Sequence, residues 1–171
     1  MDLSYERLDP SESQLAEIAD LYVRCFNAPD KGEDWTQESS IAYFIDRKNE
    51  GSHFYLAMDK SQIVGVVCGS DFARSFISKE FEKEYERCFY ISLVAVDEKY
   101  RRQKVADHLM QLCEKDLFAC DYKTISVRCR ASNQPIQNLF AKFGFSETHR
   151  YNSSLGGVTC ERVMLEKPIA G

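Results

Sequence analysis

Residues 88–106 read CFYISLVAVDEKYRRQKVA, from Cys88 to Ala106, and this stretch sets the class of the whole chain. Cys88 to Val96 is the most apolar run, the signature of a strand covered on both faces and so near the centre of a sheet. At Asp97 it gives way to a basic turn ending at Lys104. An amphipathic helix follows from Val105 to Cys120, with Val105, Leu109, Leu112 and Leu117 inward. The first amides of a helix lack partners within it, and the helix dipole there favours anions. Arg101 and Arg102 add charge that suits a pyrophosphate. The same residues also read as a solvated basic turn, and physical chemistry alone leaves both open.

On the N-terminal side, residues 4–8 read as a short strand. Ser11 caps a helix whose apolar stripe is Leu15, Ile18, Ala19, Tyr22, Cys25 and Phe26. A loop from Asn27 to Asp34 leads to a second helix near Thr36, with Ile41, Phe44 and Ile45 on one face. His53 to Met58 and Ile63 to Gly69 form a hairpin around Asp59-Lys60-Ser61. Residues 71–87 are a charged excursion, partly helical. On the C-terminal side come a strand from Ile125 to Cys129 and a short helix from Pro135 to Phe143. That helix is opened by Ser132 or Asn133 and closed by Gly144. Two strands, Phe145 to Tyr151 and Thr159 to Glu166, flank a turn at Gly156-Gly157. The strand-helix-strand unit requires a parallel pair and the hairpins antiparallel ones, so the sheet is mixed.

The 171 residues fit one domain spanning 1–171, large enough for its own core. No apolar run approaches the roughly 20 residues of a membrane span. The opening MDLSYERLDP lacks the layout of a secretory signal, so a cytoplasmic chain with no membrane partner is expected. The seven cysteines form no CxxC pair and no cluster of zinc spacing, which predicts reduced thiols and no metal. A net charge of −5 argues against a nucleic-acid partner and suits a cationic one.

The turn and the region downstream together resemble the GNAT family of acetyl-CoA-dependent N-acetyltransferases. The family's pyrophosphate loop, R/Q-x-x-G-x-G/A after a strand, is matched by Arg101-Arg102-Gln103-Lys104-Val105-Ala106 behind Tyr100. Its downstream pattern, N-x-x-A-x-x-L-Y-x-x-x-G-F, is matched from Asn133 through Leu139 and Phe140 to Gly144 and Phe145. The resemblance implies a three-layer α/β/α fold whose mixed sheet is mostly antiparallel, and acetyl-CoA as co-substrate. It implies that Val94, Ala95 and Val96 lie along the pantetheine arm, as a strand added to an edge would. The amide near Val94 would polarise the thioester carbonyl. The amides of Arg102, Gln103, Lys104, Val105, Ala106 and Asp107 would hold the pyrophosphate. Asn133 would sit beside the arm, or serve as a helix cap.

Two positions depart from the pattern. Lys104 stands where the loop has glycine. A helical φ would tolerate it and a positive φ would weaken cofactor binding; tolerance is the favoured expectation. Phe140 replaces the tyrosine that many relatives use to protonate the departing thiolate. Attack by an amine also needs a route for its proton. Tyr90 and Ser92, on one face of the central strand, are candidates to order a water, with Glu86 and Asp71 to drain the proton. For both carboxylates a solvated surface charge is the plainer alternative. His53, His108, His149 and Cys129 lack motif partners; Trp35 reads as core packing or as part of the acceptor wall. Glu33, Asp34, Glu38, Asp71, Glu80, Glu82 and Glu84 would attract a cationic amine acceptor, small molecule or peptide. The family resemblance also makes a homodimer possible. The competing expectation is a non-catalytic CoA- or acyl-CoA-binding module.

Overall fold

Ser11 starts α1 (Glu12–Phe26) with a capping box, its hydroxyl accepting from the Gln14 amide while the Gln14 side chain returns to the Ser11 amide. Thr36 and Ser39 repeat the device at α2 (Gln37–Asn49). Such caps are worth about 1 kcal/mol each. The computed structural model describes residues 2–28, 32–81, 85–155 and 157–169. Pro29 of the expected loop, Gly156 of the expected turn, and Glu82 and Glu84 lie outside them.

The remaining elements are β1 (Leu3–Arg7), β2 (His53–Asp59), β3 (Gln62–Asp71), β4 (Cys88–Val96), α3 (Val105–Ala119), β5 (Thr124–Arg130), α4 (Gln134–Lys142), β6 (Ser146–Leu155) and β7 (Val158–Pro168). Two 3₁₀ turns, Phe72–Arg74 and Ser78–Glu80, lie in the charged excursion. The sheet order is β1-β2-β3-β4-β5-β7-β6. Only β4 and β5 pair in parallel, and β4 is central as expected. The last hairpin inserts its second strand beside β5 and leaves β6 at the edge.

Two cores lie against the two faces of the sheet. On one face Leu15, Ile18, Leu21 and Phe44 pack with Phe54, Val66, Leu93 and Ala95. On the other, Val105, Leu109, Cys113 and Leu117 pack with Val67, Phe89, Ile91 and Val163, and Phe140 joins them. Ile45 departs from expectation and is 42% exposed. Phe44 takes the buried arc, and one residue further on is about 100° further around the helix. No helix among the described residues is long and apolar enough to cross a membrane, and no group of three metal-binding side chains occurs among them.

Candidate functional site

The central strand is paired along only part of one side. β4 meets β5 from Cys88↔Thr124 to Ile91↔Val127, and there the pairing ends. Beyond Ile91, β5 continues along β7 while β4 continues only along β3, so the sheet forks. At the fork a bulge shifts the register: Cys68 faces Leu93 and Gly69 faces Ile91, which leaves Ser92 as the extra residue. The Ser92 hydroxyl donates to the Cys68 carbonyl at 3.2 Å and closes the bulge.

Beyond the bulge the antiparallel ladder dictates where the backbone of β4 points. Asp97 N–H donates to Val64 O at 2.9 Å, so Asp97 and Val64 form a hydrogen-bonded pair. Such pairs alternate with pairs whose groups point away from each other. Val96 opposite Gly65 and Val94 opposite Val67 are of the second kind. Their N–H and C=O groups therefore face the open side of the fork; the Val96 carbonyl is taken by Arg101, and the others are left for an extended chain carrying amides.

The turn after β4 is built from backbone. Asp97 Oδ1 accepts from Lys99 N at 3.0 Å, and Asp97 Oδ2 holds Arg24 at 2.6 Å. This pairing keeps the Asp97 carboxyl below its ordinary range, chiefly through the hydrogen bond from Arg24. Arg102 has φ +62° and Lys104 φ +61°, both left-handed. Successive amides with left-handed residues among them curve into an anion-binding nest. Among the described residues, no acceptor takes the amides of Arg102 to Asp107, and the first helical bond runs from His108 N to Lys104 O. Six consecutive amides thus converge at the N-terminus of a 15-residue helix. The Arg102 and Lys104 side chains are exposed and have no partner among the described residues. Both suit a diphosphate.

Lys104 takes the positive-φ branch, so tolerance cannot rest on a helical backbone there. A left-handed conformation costs a residue with a Cβ about 1–2 kcal/mol, and glycine returns about 0.5–1 kcal/mol of that through its freer unfolded state. Lys104→Gly is therefore expected to stabilise the fold by up to about 1 kcal/mol, measured as a denaturant midpoint. A lower midpoint would mean that the lysine side chain itself contributes to stability.

Arg101 points elsewhere. Its Nε donates to Val96 O at 3.1 Å and its Nη2 lies 3.7 Å from Cys25 Sγ, so it ties the end of β4 to the end of α1. Asn133 caps α4, its Oδ1 accepting from Ile136 N at 3.2 Å. Phe140 is 1% exposed and packs edge-on against Phe143 and Phe145. Its ring joins the core cluster against which Val94 and Val96 also pack.

On the α1 and α2 face, Phe76 gathers Tyr43, Tyr90 and Arg128 around it, with Tyr151 on Arg128, beside the last paired residues of β4 and β5. Tyr90 is 3% exposed, its rings of contact being Phe72 and Phe76, each 6.1 Å between centroids. Among the described residues its hydroxyl has no hydrogen-bond partner. Burial pushes its ionisation up, and the Arg128 guanidinium works in the opposite direction. Tyr43, beside it, is pushed up to about 12, again by burial first. Arg128 donates to Glu80 at 2.7 Å and to the Tyr151 hydroxyl at 3.1 Å.

The other proton-route candidates are placed apart. Asp71 caps the first 3₁₀ turn through Ala73 N and receives the Tyr122 hydroxyl at 3.5 Å. Tyr122 packs on Phe89, so Asp71 serves the opposite face from Tyr90. Glu86 is exposed in the turn before β4. Neither reaches the fork. Of the acidic set, Glu33 and Glu80 do approach it, each already ion-paired, with Arg130 and Arg128 respectively. Trp35 is half-buried, its Nε1 donating to Glu33 at 2.6 Å, within a ring cluster with Tyr22 and Tyr43. Residue type alone could not single out Arg128 or Phe76, because one sits in a late strand and the other in an irregular excursion.

Comparison with known proteins agrees with this geometry. Residues 15–145 match the family model described as the acetyltransferase (GNAT) family. N-alpha-acetyltransferase 30 of Xenopus laevis is 28% identical over 157 residues, which cover 91% of this chain and 51% of that protein. The chain thus spans about half the length of this curated relative, and 34% of a second. Arabidopsis thaliana NAA60, solved with a bisubstrate analogue, superposes with a TM-score of 0.73 at 19% identity, over 99% of both chains. The yncA protein of Salmonella typhimurium, solved with acetyl-CoA, gives 0.71 at 10% identity, over 100% of this chain and 96% of that one. At these identities the structural likeness speaks for the fold.

Proposed function

This chain belongs to the GNAT acetyltransferase family, and from that premise we propose that it transfers the acetyl group of acetyl-CoA to the α-amine of a peptide by direct attack in a ternary complex. The observation that carries the reading is the meeting at the fork of two backbone surfaces that are largely unpaired, the Val96 carbonyl alone being taken, by Arg101 and Cys25. The open edge at Val94 and Val96 suits the amides of a pantetheine arm, and the amides of Arg102 to Asp107 suit its diphosphate. Acetyl-CoA supplies an activated thioester. The Val94 amide is the donor available to the thioester oxygen, where negative charge develops. A peptide amine is favoured over a polyamine or an amino sugar by the name and coverage of the Xenopus relative.

Tyr90 serves the leaving group in this reading. Its buried phenol stays protonated, so it gives the departing thiolate a hydrogen bond rather than its proton, which the thiolate takes from water; Phe140 offers no such donor. The incoming amine leaves its proton to water at the open face. Ser92 acts through the bulge, holding β4 in register rather than ordering that water. Seven free thiols support a reducing, cytosolic setting.

Arg102→Ala is expected to weaken acetyl-CoA binding about tenfold, equivalent to about 1.4 kcal/mol, and to leave the melting temperature unchanged because the side chain has no partner to lose. Unchanged affinity would remove Arg102 from the diphosphate site. The reading as a whole is tested by calorimetric titration with acetyl-CoA, followed by CoA release with a panel of peptide and small-molecule amines. Binding with turnover on peptides is expected. Binding without turnover on any amine would favour the second reading, a CoA-binding module, for which the strained Lys104 and the buried Phe140 speak. No binding would sink both.

A further inference from the structure

The excursion between β3 and β4 carries Phe76 to the mouth of the fork. Phe76 is 41% exposed, one of three large apolar side chains so exposed among the described residues. The other two, Ile45 and Phe118, lie on α2 and α3. Phe76 instead stands 6.1 Å from Tyr90 and 6.4 Å from Tyr43, ring centre to ring centre. Two guanidiniums flank it, Arg47 at 5.1 Å and Arg128 at 5.4 Å from the ring centre.

The position is held from outside. Glu80, four residues on, accepts from Arg128 at 2.7 Å and from the Tyr151 hydroxyl at 3.1 Å, which pins the excursion to β5 and β6. Arg47 has its own carboxylate, Glu50, at 2.8 Å. Both cations beside Phe76 are therefore already neutralised. An apolar side chain laid on the ring loses no charge partner and removes exposed carbon from water. A charged side chain of either sign would have to give up its hydration to reach a ring whose neighbouring charges are already paired with each other.

We propose that Phe76 determines acceptor specificity: the side chain of the peptide's first residue packs on its ring, so the enzyme favours uncharged apolar first residues and discriminates against lysine and arginine. The inference rests on the reading of the fork as a site of peptide α-amine acetylation. It is tested with three peptides identical beyond a first residue of Leu, Ser or Lys, comparing kcat/KM for the wild type, Phe76→Ala and Phe76→Leu. The wild type is expected to rank Leu above Ser above Lys. Phe76→Ala should lower kcat/KM for the Leu peptide at least about tenfold and for the Ser peptide less than about threefold. Phe76→Leu should keep most of the preference, and the acetyl-CoA dissociation constant of both variants should match the wild type, which shows that they fold. A wild type that prefers Lys, or a Phe76→Ala loss that is equal for all three peptides, overturns this inference alone. Acetyl-CoA binding with no peptide acetylated overturns it together with the peptide reading.

Discussion

Tyr90→Phe is expected to lower kcat about a hundredfold, the lower end of the range for losing a hydrogen-bond donor to developing negative charge, with little change in acetyl-CoA affinity. The substitution removes one oxygen and keeps the ring. Contacts with Phe72 and Phe76 survive, so the fork retains its shape. The hydroxyl has no hydrogen-bond partner among the described residues, and removing it leaves no donor stranded in the core. Stability should stay within about 1 kcal/mol of the wild type, because costs above that come from stranded polar groups or cavities. The effect thus falls on chemistry. Because the phenol is held protonated by burial, the loss should persist across neutral pH rather than appear on one limb. Single-turnover kinetics at saturating acetyl-CoA would decide it. A fall in kcat of less than about threefold would return Tyr90 to the role of a core residue.

Gly69→Ala should have the largest effect on stability, about 3 kcal/mol, at the upper end of the cost of overpacking. Gly69 sits at the bulge, facing Ile91. A Cβ there would overlap the Phe89 ring and the Tyr90 carbonyl oxygen. A ring end can swing away; a backbone carbonyl moves only if the strand moves. The same methyl would push β4 at the point where its pairing with β5 ends, so activity should fall with stability. Gly65→Ala is the milder comparison, since its Cβ would lie 3.0 Å from Val105 Cγ1, 3.2 Å from Leu109 Cδ1 and 3.3 Å from Ala57 Cβ, tight contacts with side chains but none with a backbone atom. Urea unfolding of the two variants separates them. Equal midpoints would mean that the bulge adjusts as readily as the side chains do.

Much of the fold could be read from the chain because it is written locally. A 3.6-residue apolar period marks α1 and α3, and the unbroken apolar run of Cys88 to Val96 marks the buried central strand. Asn133 and Ser11 declare helix starts through a side chain that reaches only three residues ahead. The turn at Arg101 to Ala106 was visible for the same reason: strand, basic turn and helix start are contiguous. The resemblance to the family then supplied the ligand that such a turn would hold, which charge and spacing alone left undecided.

Other features depend on partners far away in sequence. No window around residues 146–168 says that β7 slips between β5 and β6, because strand order is settled by which edges remain free after the earlier strands pair. The φ of Lys104 comes from closing the turn onto α3, and it overrode the ordinary preference of lysine for a negative φ. Arg101, an evident phosphate ligand by charge, was drawn to the Val96 carbonyl because that group faces the open side of the fork. Asp71 and Glu86 looked close to the site along the chain, yet one serves the opposite face and the other faces solvent. Conversely, Arg128, Glu80 and Phe76 are brought together from a strand and an irregular excursion, with 48 residues separating Glu80 from Arg128. The sequence by itself determined the helices, the central strand and the basic turn between β4 and α3, since each is stabilised by residues within one or two turns of chain. Only the tertiary structure decided where the sheet forks and which side chains line the opening, because those follow from long-range pairing and packing.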